Sequence, residues 1–180
     1  VVNGQTKIGA RVILRASTTI GNVMGSDGVA SASPVIGDDV EFGAGATLAK
    51  WAAAGCVVHH LVCTDGSKGT WDPDADTVRL VETRRREQRA AAAVLGGRGE
   101  VAFLDQVDGE LDNTHALRGE VARWLRVLRP QVVLTHDPWK RYRLHPDHRH
   151  AGQLTCDAVV AARDPHFFRE HRLAPHRPDA

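Results

Sequence analysis

The chain has 180 residues, 42% hydrophobic, 25% charged and 5% aromatic, room for one domain burying about 70% of its unfolded surface. No run approaches the roughly 20 apolar residues of a membrane span, and no charged-then-apolar N-terminus reads as a signal peptide. Lys and Arg number 23 against 22 Asp and Glu, a formal charge of +1, so no nucleic-acid surface is expected.

Cys56, Cys63 and Cys156 are odd in number and form no CxxC. That points to reduced core thiols in a cytoplasmic protein rather than to disulfides or a zinc knuckle. The chain opens on Val1 rather than Met, as a fragment would.

Two styles of sequence follow one another. Residues 1–37 are rich in Gly, Ser, Thr and Val, with Asp27 as the sole acid and no His. Ile8, Leu14 and Ile20 are six apart, and Ile36, Phe42 and Leu48 repeat that step. A six-residue apolar period with small residues between suits a left-handed parallel β-helix, with 22–34 extruded as a loop. An irregular Gly/Ser/Thr-rich arm is the plainer alternative.

From Asp38 onward, apolar runs alternate with Ala/Arg/Glu-rich stretches. Helices are expected at 45–54, at 81–95 (ending on Gly96-Gly97), at 117–128 (ended by Pro130) and at 151–162. Buried strands are expected at 56–64, 101–105 and 132–136. Strands alternating with helices imply an α/β fold with a mostly parallel sheet, whose ligand sits beyond the carboxyl ends of the strands.

Three polar clusters fall at such places: Asp38-Asp39-Val40-Glu41, Asp65 to Thr70, and His136-Asp137 followed by His145-Pro146-Asp147-His148. Carboxylates with imidazoles are the raw material of a catalytic metal site, where one position stays open for water. The last cluster could equally be a capped helix start with Asp147 as N-cap.

Taken together, Asp38-Asp39-Val40-Glu41, Thr64-Asp65-Gly66, the Arg84-x-x-Glu87 helix ending at Leu95-Gly96, Asp108-Gly109 and His145-Pro146-Asp147-His148 resemble the PIG-L/LmbE family over about 38–180. That family comprises metal-dependent deacetylases of N-acetylglucosamine-containing molecules. The resemblance implies a Rossmann-like, mostly parallel sheet with flanking helices and an amino-sugar small molecule as substrate. It implies Zn²⁺ as cofactor, with Fe²⁺ served by the same ligand types.

By position, Asp38 is similar to the family's general base, and Asp39 and His148 to metal ligands. His145 matches the imidazole that stabilises the oxyanion and protonates the leaving amine, and Asp147 would orient it. Arg84 is similar in position to a substrate-contacting arginine. These roles suit amide hydrolysis, which needs a Lewis acid, an acidified water and a donor for the departing nitrogen.

One departure matters. The family motif begins Ala-His-Pro, and its His is a third ligand; here Val35, Ile36 and Gly37 stand there. Ile36 cannot bind a metal, so impaired activity is expected. Ala30-Ser31-Ala32-Ser33-Pro34 is poor strand material, so the usual first strand is expected to be missing.

The hexads, with Thr19-Ile20-Gly21-Asn22 and Pro34-Val35-Ile36-Gly37-Asp38-Asp39, resemble serine-acetyltransferase-like enzymes. The expected organisation is a hexapeptide-repeat-like fragment at 1–37 and a deacetylase domain at 38–180, truncated at both ends and joined as a chimera between about Asp38 and Leu48. Besides an impaired deacetylase, a non-catalytic chimeric fragment and an acyl-CoA-dependent O-acetyltransferase are the readings to weigh.

Overall fold

In the computed structural model the described residues are 17–20, 32–37, 40–96, 98–139 and 145–178. The elements are β1 (Ser17–Ile20), β2 (Ala32–Gly37), α1 (Val40–Ala53), β3 (Val57–Thr64), α2 (Thr77–Val94), β4 (Val101–Gln106), α3 (His115–Leu128) and α4 (Pro146–Arg163). A 3₁₀ turn, Arg169–His171, follows. Among the described residues, no helix is long and apolar enough to cross a membrane.

The sheet runs in the order β1-β2-β3-β4. β2, β3 and β4 are mutually parallel, and β1 lies antiparallel against β2 and also touches β3. Parallel strands are buried on both faces and so are mostly apolar; β3 is buried from Val58 to Thr64, with His59 and His60 set in an otherwise apolar run closed by Thr64.

Side chains alternate along a strand, and this divides β3 between two cores. Leu61 and Cys63 pack with Leu117, Val121 and Leu125 of α3 and with Leu154 and Ala158 of α4. Val58, on the opposite face, packs with Ala44, Leu48 and Ala52 of α1 and with Leu134. Farther along that second face, Val62 and Thr64 border a cavity instead of a helix.

Three expectations are corrected. First, the strand thought missing is present: β2 runs parallel to β3, with Ile36 opposite Leu61, and leads directly toward α1. Pro34 is tolerated because the pairing with β1 covers Val35 to Gly37 and stops short of it, so no ladder bond on that side needs its missing N–H. Second, β1 and β2 carry the hexad positions Ile20 and Ile36 and pair antiparallel, whereas coils of a β-helix stack their strands in parallel. The hexads before Ser17 lie outside the described residues.

Third, 132–136 joins no ladder; Leu134 and His136 form only isolated bridges. β1 occupies the second edge of β2 from Val35 to Gly37. Boundaries also move. α1 starts at Val40, before the expected Gly45. α2 starts at Thr77, where the Asp76 carboxylate accepts the Arg79 N–H at 3.0 Å, a standard N-cap bond.

Candidate active site

The cavity of about 430 Å³ opens beyond the carboxyl ends of β3 and β4. Thr64, Asp65, Gly66 and Gly69 come from the end of β3 and the loop after it, and Asp108 from the loop after β4. Arg84, Arg85, Glu87 and Gln88 come from α2, and His145 and His148 from the start of α4.

The start of α4 is built by its sequence. His145 is the N-cap, with extended φ −75° and ψ 126°, and Pro146 follows in the first turn, where its missing N–H is no loss. Asp147 is therefore not the N-cap; it lies in the first turn, where a carboxylate complements the helix dipole. It is 2% exposed. Its Oδ2 accepts the Gly109 N–H at 2.7 Å and its Oδ1 accepts the Leu111 N–H at 3.1 Å. The same Oδ2 stands 3.9 Å from His145 Nδ1.

Asp147 thus ties the loop after β4 to the helix that carries both histidines. His148 is flanked by two other imidazoles, its ring centroid 4.6 Å from His136 in a stacked pair and 5.0 Å from His145. Burial above all, then the neighbouring His148, lowers the His136 pKa to about 2, so His136 is a neutral ring backing His148. The approach depends on Gly152, since a Cβ there would stand 2.6 Å from the His136 carbonyl oxygen.

A second carboxylate braces the other side. Asp65 Oδ1 accepts the Ser67 N–H at 2.9 Å and the Asp108 N–H at 3.0 Å. Burial alone would raise the Asp65 pKa, but the hydrogen bonds from Ser67 and Asp108 outweigh it and hold the carboxylate ionised below its usual range. Asp108 in turn accepts the Lys68 N–H at 3.2 Å. Arg84 donates to Glu87 at 2.8 Å and to the Gly69 carbonyl at 3.2 Å, which fixes its guanidinium at the rim.

Of the residues singled out from sequence, Arg84, His145 and His148 line one cavity and Asp147 stands behind His145. Asp38 and Asp39 lie outside the described residues; the chain enters that segment from Gly37 of β2 and leaves it into Val40 of α1.

Asp108 was noted in sequence only as part of a motif, yet its carboxylate stands near His145 and Asp147. One ligand-type atom from each of the three lies within 4.8 Å of the others. Gln88 and Arg85 were missed, although the i, i+4 spacing of Arg84 and Gln88 on a helix already puts those two on one face.

A family model described as GlcNAc-PI de-N-acetylase matches residues 37–159. The diacetylchitobiose deacetylase of Thermococcus kodakarensis is 40% identical over 137 residues, covering 76% of this chain and 51% of that protein. The 1D-myo-inositol 2-acetamido-2-deoxy-alpha-D-glucopyranoside deacetylase of Streptomyces avermitilis is 31% identical over 157 residues, covering 74% and 53%. Among solved structures, the N,N'-diacetylchitobiose deacetylase of Pyrococcus horikoshii superposes with a TM-score of 0.75 at 31% identity, over 79% of this chain and 54% of that one.

The chain therefore spans about half the length of the relatives it matches. With its β3–α2–β4 unit, its histidine-bearing α4 start and a matching model over 37–159, the chain belongs to the PIG-L family.

Proposed function

We infer that the chain is an N-deacetylase, an amide hydrolase that removes the acetyl group from an N-acetylglucosamine-containing small molecule with the help of a bound metal ion. The observation that carries this reading is the convergence of His145, His148, Arg84 and Asp108 on one cavity, with Asp147 buried behind His145.

The donors around the cavity are imidazole nitrogens and carboxylate oxygens, the set that Zn²⁺ or Fe²⁺ takes. His148 and Asp39 are assigned as ligands. When bound, such an ion supplies Lewis-acid polarisation of the amide carbonyl and acidifies a water. Asp38 is assigned as the base that accepts the water's proton. His145 donates to the developing oxyanion and to the departing amine, and Asp147 holds its ring in place. Arg84 and Asp108 offer a donor and an acceptor to sugar hydroxyls.

The weak point is Ile36, an alkyl side chain where the family carries an imidazole ligand. Catalytic zinc sites hold the ion with three protein ligands, so losing one weakens metal binding. Ile36→His is therefore expected to raise zinc retained per chain after dialysis, measured by mass spectrometry, and to raise release of free amine from N,N'-diacetylchitobiose. Chelation should abolish the gain. No increase in zinc and no amine release would overturn the assigned site. The same isoleucine favours one other reading, an amino-sugar-binding protein without turnover, which predicts saturable binding of N-acetylglucosamine and no released acetate even in Ile36→His.

A further inference from the structure

Residues 147, 150, 154 and 157 fall on one side of α4, as a helix spaces them. Three of them hold the segment that follows β4. Asp147 accepts the Gly109 and Leu111 N–H groups, and the His150 ring meets the Leu111 carbonyl through Nδ1. Asp157 accepts from Asn113 at 2.8 Å and stands 3.2 Å from Arg118. The fourth, Leu154, is buried in the core that also holds Leu111.

Leu111 is the residue this face fixes most fully. Its side chain is 2% exposed, its N–H is taken by Asp147 and its carbonyl by His150. A carbonyl can only accept, so the proton of the second bond belongs to His150 Nδ1.

Just before Leu111 the chain turns. The Glu110 N–H closes the turn on the Val107 carbonyl at 2.9 Å, with Gly109 at φ 81° in the place where a type II turn needs glycine. Asp108 is the other central residue, and its N–H is held by Asp65 at 3.0 Å. The turn is thus gripped at its start by the loop after β3 and at its end by α4. Without the His150 N–H the buried Leu111 carbonyl would lack that donor, a penalty that moving the turn would relieve.

We propose that His150 is a positioning residue: by holding the Leu111 carbonyl it fixes the turn that presents Asp108 to the cavity near His145. The role rests on the reading above, in which Asp108 accepts from a hydroxyl of the bound sugar, and adds the residue that sets where this acceptor stands.

Two substitutions separate position from polarity. His150→Gln keeps a polar side chain and a good helix former but sets its N–H one bond farther from the backbone. In His150→Asn the side-chain N–H stands where Nδ1 does. By calorimetry on the full chain, N-acetylglucosamine should bind His150→Gln about fivefold more weakly than the parent, as the loss of one hydrogen bond provides. His150→Asn should bind within about twofold of the parent. In an Asp108→Ala background His150→Gln should bring no further loss, because the group it positions is gone. Hydrogen exchange of the ligand-free chain should quicken about tenfold at the Gly109 and Leu111 amides in His150→Gln alone.

A loss of equal size with and without Asp108, or His150→Asn binding as weakly as His150→Gln, would overturn the role. So would exchange that stays slow in His150→Gln. A parent chain that does not bind N-acetylglucosamine overturns the amino-sugar reading and this role with it, whereas binding untouched by His150→Gln overturns the role alone.

Discussion

His60 links the cavity wall to the stability of the whole chain through a single proton. Its folded pKa of about 4 lies below the unfolded value near 6.5. Above pH 6.5 the ring is neutral in both states, and the stability it contributes is fully present. As pH falls below 6.5 the unfolded chain takes up a proton that the folded chain refuses, so folding weakens until about pH 4. The size is about 2 kcal/mol by pH 5.

His59 acts in the same direction, since burial lowers its pKa against the opposing pull of Glu100. Urea unfolding at pH 7.5 and pH 5.0 should therefore show a lower free energy at the acid value. His60→Gln should lose a share of that difference. An acid loss as large in His60→Gln as in the parent would mean that His60 does not contribute to it.

At the scale of elements, the end of α4 is held by a charge from α3. Arg126 is 4% exposed, and its guanidinium donates to the carbonyls of Ala161, Ala162, Asp164, Phe167 and Phe168 at 2.9–3.1 Å. A helix C-terminus leaves carbonyls unpaired and carries partial negative charge, so a buried cation is stable there without an ion pair among the described residues. Arg126→Leu should cost about 3 kcal/mol, the penalty for stranding buried acceptors. It should also let a protease cut within 164–178 while α4 is intact. A variant as stable as the parent, with that segment still protected, would show that the carbonyls find other partners.

Nothing in local sequence announces that contact, because Arg126 and its acceptors are some 40 positions apart, whereas α3 itself was legible from Val121, Trp124, Leu125 and Leu128 on one face. β3 and β4 were legible for a similar reason, as short apolar runs closed by turn residues. The segment 132–136 resembles β3 in its Val, Leu, Thr and His, yet it makes only isolated bridges, and nothing in its own residues announces the difference. Pro34 misled in the opposite direction. The histidine-bearing start of α4 and Arg84 could be named from motif and order, whereas Asp108 and Gln88 acquire their places from strands and loops far away in sequence.

Across the whole molecule, β3 is the shared wall of two cores, and this decides how the protein unfolds. Leu48 and Leu154 are both fully buried, the first against α1's side of the sheet and the second in the α3–α4 side. Leu→Ala at either position should cost about 3 kcal/mol from lost burial and the cavity left behind. Because Val58 anchors one cluster and Leu61 and Cys63 the other on a single strand, neither core can open without exposing β3 to the other side.

Each variant should therefore shift one common unfolding transition, with unchanged steepness in urea. The double variant should equal the sum within roughly 0.5 kcal/mol, as expected of sites without shared partners. The check is urea unfolding followed by tryptophan fluorescence and by far-ultraviolet circular dichroism on the same samples. Coincident curves in all four proteins would establish β3 as the cooperative centre. A separate early transition in Leu48→Ala alone would mean that α1 and its face of the sheet fold independently of the half that carries His145 and His148.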